Sequence, residues 1–433
     1  MKTISKRMIC ADTLWEGVHE SGLRVYVYPK ARFSSSYALF GTKYGSIDTM
    51  FRRTGDDEFA EVPEGIAHYL EHKLFESEEE DAFARYARTG ANANAYTSFD
   101  KTCYLFSCSK HFMESLKILL DFVQKPYFTP ETVQKEQGII GQEIRMGEDD
   151  PDNKVFWNLM KNMYHRHPVR IDIAGTVESI AEIDDQLLYR CYRTFYHPSN
   201  MVLCTAGNVD PESVFAMVDR MVPTDPAPGI ERRFPEEPDT VVQPRVVTSA
   251  PVSAPLFAIG FKETAAARRT EAECAATEVL LQVLAAETSP LYRRLMQEGW
   301  INDSFSAEYF EGPGYAAVLF SGESVNPDHV AAEIVREADR LRREGIAEAD
   351  FECARRALYG NAVSGFGNVA LLANQMADAA LNGRTFGAEP ELLRSMTREQ
   401  VQERLQVQLR PDRMVVSIVN PMGSDESNTK QEG

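Results

Sequence analysis

Pro198-Ser199-Asn200-Met201-Val202-Leu203 recurs 213 residues later as Pro411-Asp412-Arg413-Met414-Val415-Val416. Each copy follows an amphipathic stretch of helical period and opens an apolar run that reads as a strand. The offset is close to half of the 433 residues, so the chain reads as a duplicated unit. Each half runs strand, strand, helices, strand pair, helices, strand, which is an α+β layer pattern. In the first half 23–29 and 36–45 read as strands, 64–76 and 80–89 as helices, and 92–97 and 101–108 as a strand pair. In the second half 255–261, 303–310 and 314–321 read as strands, and 270–285, 327–343 and 347–360 as helices. Between them, 223–244 carries Pro223, Pro226, Pro228, Pro235 and Pro238 among charged residues, the composition of a linker. The expected division is one domain over 1–222, a linker over 223–244, a homologous domain over 245–421 and a flexible tail over 422–433.

The first half carries His68-Tyr69-Leu70-Glu71-His72. Residues four apart on a helix are neighbours, so His68 and His72 can reach one metal ion. Glu71 then stands beside the open side of that site, in the H-x-x-E-H order. A catalytic zinc takes three protein ligands and keeps a fourth position open, so another ligand is needed from a different element. Glu136 and Glu143 lie seven residues apart, two turns of helix and therefore one face. Periodicity does not choose among these and Glu148. Under the offset of the duplication, His68, Glu71 and His72 fall on Leu281, Leu284 and Ala285, and Glu143 falls on Arg356. Only the first half is expected to bind zinc, leaving the second to cover the site and hold substrate.

Further motifs surround this one in order: Gly41-Thr42-Lys43-Tyr44-Gly45-Ser46 ahead of it, then Gly90-Ala91-Asn92-Ala93-Asn94-Ala95-Tyr96-Thr97-Ser98, Gly175-Thr176-Val177-Glu178-Ser179-Ile180 and Tyr196-His197-Pro198-Ser199-Asn200-Met201. Together with His-x-x-Glu-His they resemble the pitrilysin/insulinase family of zinc metallopeptidases, to which the mitochondrial processing peptidases are also similar. The resemblance implies two homologous α/β-layer domains, each an antiparallel-rich sheet packed with helices, of the LuxS/metallohydrolase-like, processing-peptidase type. It implies Zn2+ held by His68, His72 and Glu143, with Glu71 as general base and Glu136 as a supporting or catalytic carboxylate. It also implies that Asn94 and Ala95 meet an extended peptide on a sheet edge, by β-augmentation. The family places an arginine and a tyrosine from the second half near the reacting carbonyl. Met296 and Asp303 stand at those positions here, with Arg293, Arg294 and Tyr309 nearby. Residues 289–309 resemble bacterial members associated with modification of translation elongation factor P. Family enzymes close four homologous domains around substrate. A chain carrying two is expected to pair, as a homodimer or as a heterodimer with a related half-length subunit.

Net charge is −19, from 46 basic and 65 acidic residues, which argues against nucleic acid or an anionic membrane as the main partner. The first twelve residues lack the apolar core of a signal peptide, and no apolar run reaches membrane-spanning length. Seven cysteines without a Cys-x-x-Cys pair read as reduced, buried thiols of a cytoplasmic protein. His165 and His167 read as a surface turn before Pro168, His197 as structural, and Glu78 to Asp81 as a solvated loop. Three function classes follow: a zinc endopeptidase or oligopeptidase, a non-cleaving peptide-binding subunit of a two-chain complex, and a factor whose zinc is purely structural. A structural site needs no base and usually has four protein ligands, so Glu71 favours the first.

Overall fold

Cys10 and Ala11 take positive φ angles of 46° and 69° and turn the chain between Thr3–Ile9 (β1) and Asp12–Val18 (β2). Two successive left-handed residues give a turn whose twist matches that of a hairpin. The computed structural model describes residues 1–264 and 269–423; the expected tail lies outside them from residue 424 on. The following strands are Arg24–Pro29 (β3), Ser36–Thr42 (β4), Met50–Arg53 (β5), Ala60–Glu61 (β6), Asn92–Thr97 (β7), Thr102–Cys108 (β8), Met201–Gly207 (β9) and Ile230–Arg232 (β10). Seven of them form one sheet in the order β1-β2-β3-β9-β4-β8-β7, and β10-β5-β6 form a small second one. All pairs in the large sheet are antiparallel except β3 with β9. Central β4 and β9 are buried at every residue, as strands covered on both faces must be. β7 closes the sheet as an edge and alternates exposed and half-buried positions at its start.

These strands belong to a unit formed by Met1–Ile144, Asp172–Arg233 and Ala362–Ala388. One face of the large sheet packs under the helices Ile66–Leu74 and Phe112–Val123, through Leu70, Tyr104, Leu116 and Leu119. The other face packs under the helix Val369–Leu381, through Leu372, Met376 and Leu381 against Leu39, Val202 and Cys204. That helix also reaches the β7–β8 hairpin. Tyr96 Oη donates to Asn374 Oδ1 at 2.7 Å, and Lys101 Nζ pairs with Asp378 at 2.5 Å.

The second unit comprises Arg145–Ile171, Phe234–Asn361 and the residues from Glu389 on. Its strands are Arg245–Ala250 (β11), Leu256–Lys262 (β12), Ser306–Gly312 (β13), Tyr315–Glu323 (β14) and Met414–Pro421 (β15), in the order β11-β15-β12-β14-β13. This repeats β3-β9-β4-β8-β7, down to the single parallel pair at the β11–β15 end. The helix Pro151–Met163 packs on β12 and β15. Gly260 makes room for it, since a Cβ there would sit 2.0 Å from Met163 Cε. The compact units are therefore not unbroken halves of the chain: each sheet takes a helix from the other half of the sequence. The proline-rich segment 223–244 is itself built in, with β10 in the first unit and a buried Glu237 in the second.

His167 departs from the surface turn expected of it, being 1 % exposed. Its Nδ1 accepts from the Val169 N–H (3.1 Å) while Nε2 lies 2.9 Å from the Pro313 carbonyl, to which it donates. The three backbone N–H groups of His165, Arg166 and His167 converge on the Glu237 carboxylate, which also pairs with Lys262 Nζ at 2.6 Å. One donor and one acceptor are thus satisfied by a neutral imidazole, and burial lowers its pKa to about 4. The unfolded chain binds a proton below about 6.5 that the folded chain refuses until about 4. This stabilisation is therefore complete above pH 6.5 and is lost as pH falls between those values. Urea titrations at pH 7.5 and pH 5 should differ by roughly 2 kcal/mol from this residue. His167→Gln should flatten the difference; an unchanged pH dependence would assign it elsewhere.

The cysteines also differ in part from expectation. Cys103, Cys108, Cys191 and Cys204 are buried free thiols, but Cys10 and Cys353 are exposed. Cys10 has no choice, because it occupies the tip of the β1–β2 turn.

Candidate metal centre

The helix Ile66–Leu74 begins where two glycine turns lock backbone to backbone. Gly65 has φ +86°, and a Cβ on it would meet the Ala174 carbonyl oxygen at 2.3 Å. Gly175 has φ +76°, and a Cβ there would meet the Glu64 carbonyl oxygen at 2.6 Å. Ser179 Oγ donates to that same Glu64 oxygen at 3.0 Å, while Thr176 and Ser179 form a capping box. The Gly-Thr-x-Glu-Ser-Ile motif thus fixes the start of the His-x-x-Glu-His helix from a hundred residues away. Ile66, Ala67, Tyr69, Leu70 and Leu74 face the core, which turns His68, Glu71 and His72 to the other side at helical spacing. Tyr69 Oη donates to the Val133 carbonyl at 2.5 Å, tying this helix to Pro130–Asp149. That second helix buries Val133, Glu136, Ile140 and Ile144 along one stripe.

Across this junction His68, His72 and Glu143 each offer a ligand atom within 4.8 Å of the others, forming a cluster that Glu148, exposed farther along its helix, does not join. His68 Nε2 lies 3.8 Å from one Glu143 oxygen, and His72 Nε2 lies 3.5 Å from the other. Donors around a tetrahedral zinc with bonds near 2.0–2.1 Å stand about 3.3 Å apart, so the three groups fit one such ion after small side-chain adjustment. His72 Nδ1 lies 3.0 Å from Glu136 Oε1. That contact fixes the tautomer that leaves Nε2 unprotonated for a metal. Glu136, buried on its own helix, is thus held against the His72 ring. Burial, aided by the neighbouring His72, lowers the His68 pKa to about 4, so His68 is neutral at pH 7, the form a ligand requires. Burial opposes charge on His72 too, but the Glu136 hydrogen bond and the surrounding carboxylates outweigh it and raise its pKa. Among the described residues no second such cluster occurs. Leu281, Leu284 and Ala285 are buried apolar groups.

Glu71 is outside the cluster and half-buried beside it. Burial raises its pKa, against an opposing hydrogen bond from Thr97, whose Oγ1 donates to Glu71 Oε2 at 2.6 Å. A cleft of about 320 Å³ opens here, lined by Glu71, His72 and Glu136 together with Phe75, Phe83, Asn94 and Ala95. Phe83 is 50 % exposed and stacks on Phe75 at 4.4 Å. Asn94 and Ala95 sit on edge strand β7, and the Ala95 N–H is bonded only locally, to Asn94 Oδ1 at 2.9 Å. Phe83 lines this cleft and Thr97 reaches it through Glu71; the motifs single out neither, Thr97 appearing only near the end of the run Gly90 to Ser98. Of the groups in the second unit, Arg294 is committed to Glu333 at 2.9 Å, and Met296 and Asp303 offer no guanidinium or phenol.

A duplicated α+β unit with an inverted His-x-x-Glu-His helix and a glutamate from the next long helix defines a class of metallopeptidase-like proteins. Residues 58–177 match the family described as Insulinase (Peptidase family M16), and residues 182–358 match the Peptidase M16 inactive domain. The chain belongs to this M16 family. It is 39 % identical to YmfH of Bacillus subtilis, an uncharacterized zinc protease, over 95 % of this chain and 97 % of that one. It superposes on an M16-like structure from Alicyclobacillus acidocaldarius with a TM-score of 0.91 at 39 % identity, covering 96 % and 98 % of the two chains. Pitrilysin shares the fold, with a TM-score of 0.76 at 16 % identity; 97 % of this chain covers 46 % of that one. Among the described residues no helix is long and apolar enough to cross a membrane.

Proposed function

We propose that the protein is a zinc-dependent endopeptidase or oligopeptidase acting on extended or unfolded peptide, with His68, His72 and Glu143 as ligands and Glu71 as general base. The observation that carries this is one face of one helix. Both imidazole Nε2 atoms turn to Glu143, while Glu71 stays outside the ligand set with a carboxylate directed at the same cleft. Bound zinc would supply Lewis-acid polarisation of a carbonyl and acidify a water molecule. Glu71 would take the proton of that water and deliver it to the leaving amine. Glu136 would hold the His72 ring, and Asn94 and Ala95 would pair with the substrate main chain. Family membership and the zinc-protease names of relatives support the reading. Hydrolysis of dye-labelled casein, abolished by a chelator and restored by stoichiometric zinc, tests it; chelator-insensitive hydrolysis, or none in zinc-loaded protein, would count against it.

For the substrate strand to add to β7, the Ala95 N–H must exchange its bond to Asn94 for one to the peptide. Ala95→Pro removes that donor. It should weaken peptide binding about tenfold at unchanged zinc content, read by fluorescence anisotropy of a labelled peptide on zinc-loaded Glu71→Gln protein. Equal affinity with and without the proline would remove β7 from the substrate site.

We also propose that the chain works in pairs in a cytoplasmic setting. The chain spans 46 % of pitrilysin, and Met296 and Asp303 stand where the family resemblance implies an arginine and a tyrosine. A related half-length subunit could provide both. Activity per chain should rise with concentration or with added partner, and light scattering should show the pair. Full activity from a strict monomer would contradict this. The same two substitutions favour a second reading, a subunit that binds peptide and cleaves only with its partner.

A further inference from the structure

We propose that Thr97 is a positioning residue for the Glu71 carboxylate, held in place by the fixed end of the β7–β8 hairpin; the proposal rests on the peptidase reading above. Thr97 Oγ1 lies 2.6 Å from Glu71 Oε2 and 3.3 Å from Thr102 Oγ1. Thr102 Oγ1 donates its one proton to the Tyr44 carbonyl at 2.9 Å, so it can only accept from Thr97. The Thr97 proton goes to the shorter and charge-assisted contact, the carboxylate. The hydroxyl thus anchors Glu71 by Oε2, and the Thr97 N–H adds a second hydrogen bond to the same carboxylate.

The hydroxyl is mounted rigidly. Thr97 and Thr102 form the last rung of the β7–β8 ladder, and the Ser98 N–H closes the turn on the Lys101 carbonyl at 2.8 Å. The Ser46 and Ile47 N–H groups donate to the Ser98 and Phe99 carbonyls, each at 3.0 Å. Gly45 is pressed so close that a Cβ would lie 2.4 Å from the Phe99 carbonyl. From the other side, Lys101 is paired with Asp378 and Tyr96 is bonded to Asn374. The strand that offers its outer edge to peptide at Ala95 thus carries, two residues on, the group that aims the base. Substrate register and base orientation are set by one rigid element. A free glutamate side chain has three rotatable bonds, and misplacement of a reacting group by about 1 Å costs on the order of a hundredfold in rate.

The test compares Thr97→Val, which keeps shape and strand preference but removes the hydroxyl, with Thr97→Ser, which keeps it, and with Glu71→Gln. Zinc per chain, thermal midpoint, and kcat and KM on dye-labelled casein are measured for each. Thr97→Val should lose about tenfold to a hundredfold in kcat with KM, zinc content and midpoint unchanged, and Thr97→Ser should recover most of it. In a zinc-free crystal of Thr97→Val, the Glu71 carboxylate should leave the position it has here. Wild-type kcat in Thr97→Val, a Thr97→Ser as impaired as the valine, or loss of zinc together with activity would overturn the proposal. Full activity in Glu71→Gln would instead overturn the base assigned in the reading beneath it, and no hydrolysis by the zinc-loaded wild type would overturn the peptidase reading itself.

Discussion

His68→Ala, His72→Ala and Glu143→Ala should each reduce zinc from about one ion per chain to below about a tenth, whereas His165→Ala should leave it unchanged. A three-ligand site that loses one protein donor has no reserve, because its fourth position belongs to water. The loss should also appear in stability. Zinc at a thousandfold excess over its dissociation constant adds about 4 kcal/mol to a protein that binds it only when folded. Thermal melts with and without zinc should therefore separate for the wild-type protein and for His165→Ala, and coincide for the three ligand variants. His165 is the control because its Nε2 is within 3.2 Å of the Thr240 hydroxyl and it belongs to the second unit. Loss of zinc in His165→Ala with retention in His72→Ala would reverse the assignment.

Glu71→Gln should retain zinc and lose hydrolysis, with kcat reduced by between about a hundredfold and ten-thousandfold, the range for removing a positioned general base. The amide keeps the size of the carboxylate and can still accept from Thr97, so KM and the thermal midpoint should hold. Parallel zinc analysis and casein hydrolysis on the same preparation separate this from simple metal loss. A Glu71→Gln protein that cleaves at the wild-type rate would contradict Glu71 as the general base.

The parts of the fold that could be read from the chain are those in which side-chain period and burial agree. Central strands β4 and β9 are buried throughout and read as strands, and the run 90–98 implied the edge strand β7 through its resemblance to the family motif. The repeat at Pro198 and Pro411 corresponds to a five-strand order that both large sheets share. The β1–β2 hairpin was not legible, because its turn is Cys10-Ala11 and not a glycine or asparagine pair. Nor was the exchange of Pro151–Met163 and Val369–Leu381: period shows which face of a helix is apolar, not which sheet that face will meet. His167 was misplaced for a related reason, since its burial depends on Glu237 and Pro313, seventy or more residues away.

The candidate centre divides along the same line. His68, Glu71 and His72 share one helix, so spacing alone sets their common face. Glu143 and Glu148 are equally plausible by period, and only the crossing of the two helices distinguishes them. Thr97 comes from a third element and is defined by a hydrogen bond that spacing along the chain cannot express.

The composition of the metal centre is the most direct test of a catalytic zinc in this protein. X-ray absorption at the zinc edge of the metal-loaded protein should show only nitrogen and oxygen neighbours at about 2.0–2.1 Å. Two of them should carry the multiple-scattering signature of imidazole, which should fall to one in any His72→Ala protein forced to bind zinc. A sulfur neighbour at about 2.3 Å, or the same two-imidazole spectrum after loss of His72, would contradict a catalytic zinc held by His68, His72 and Glu143.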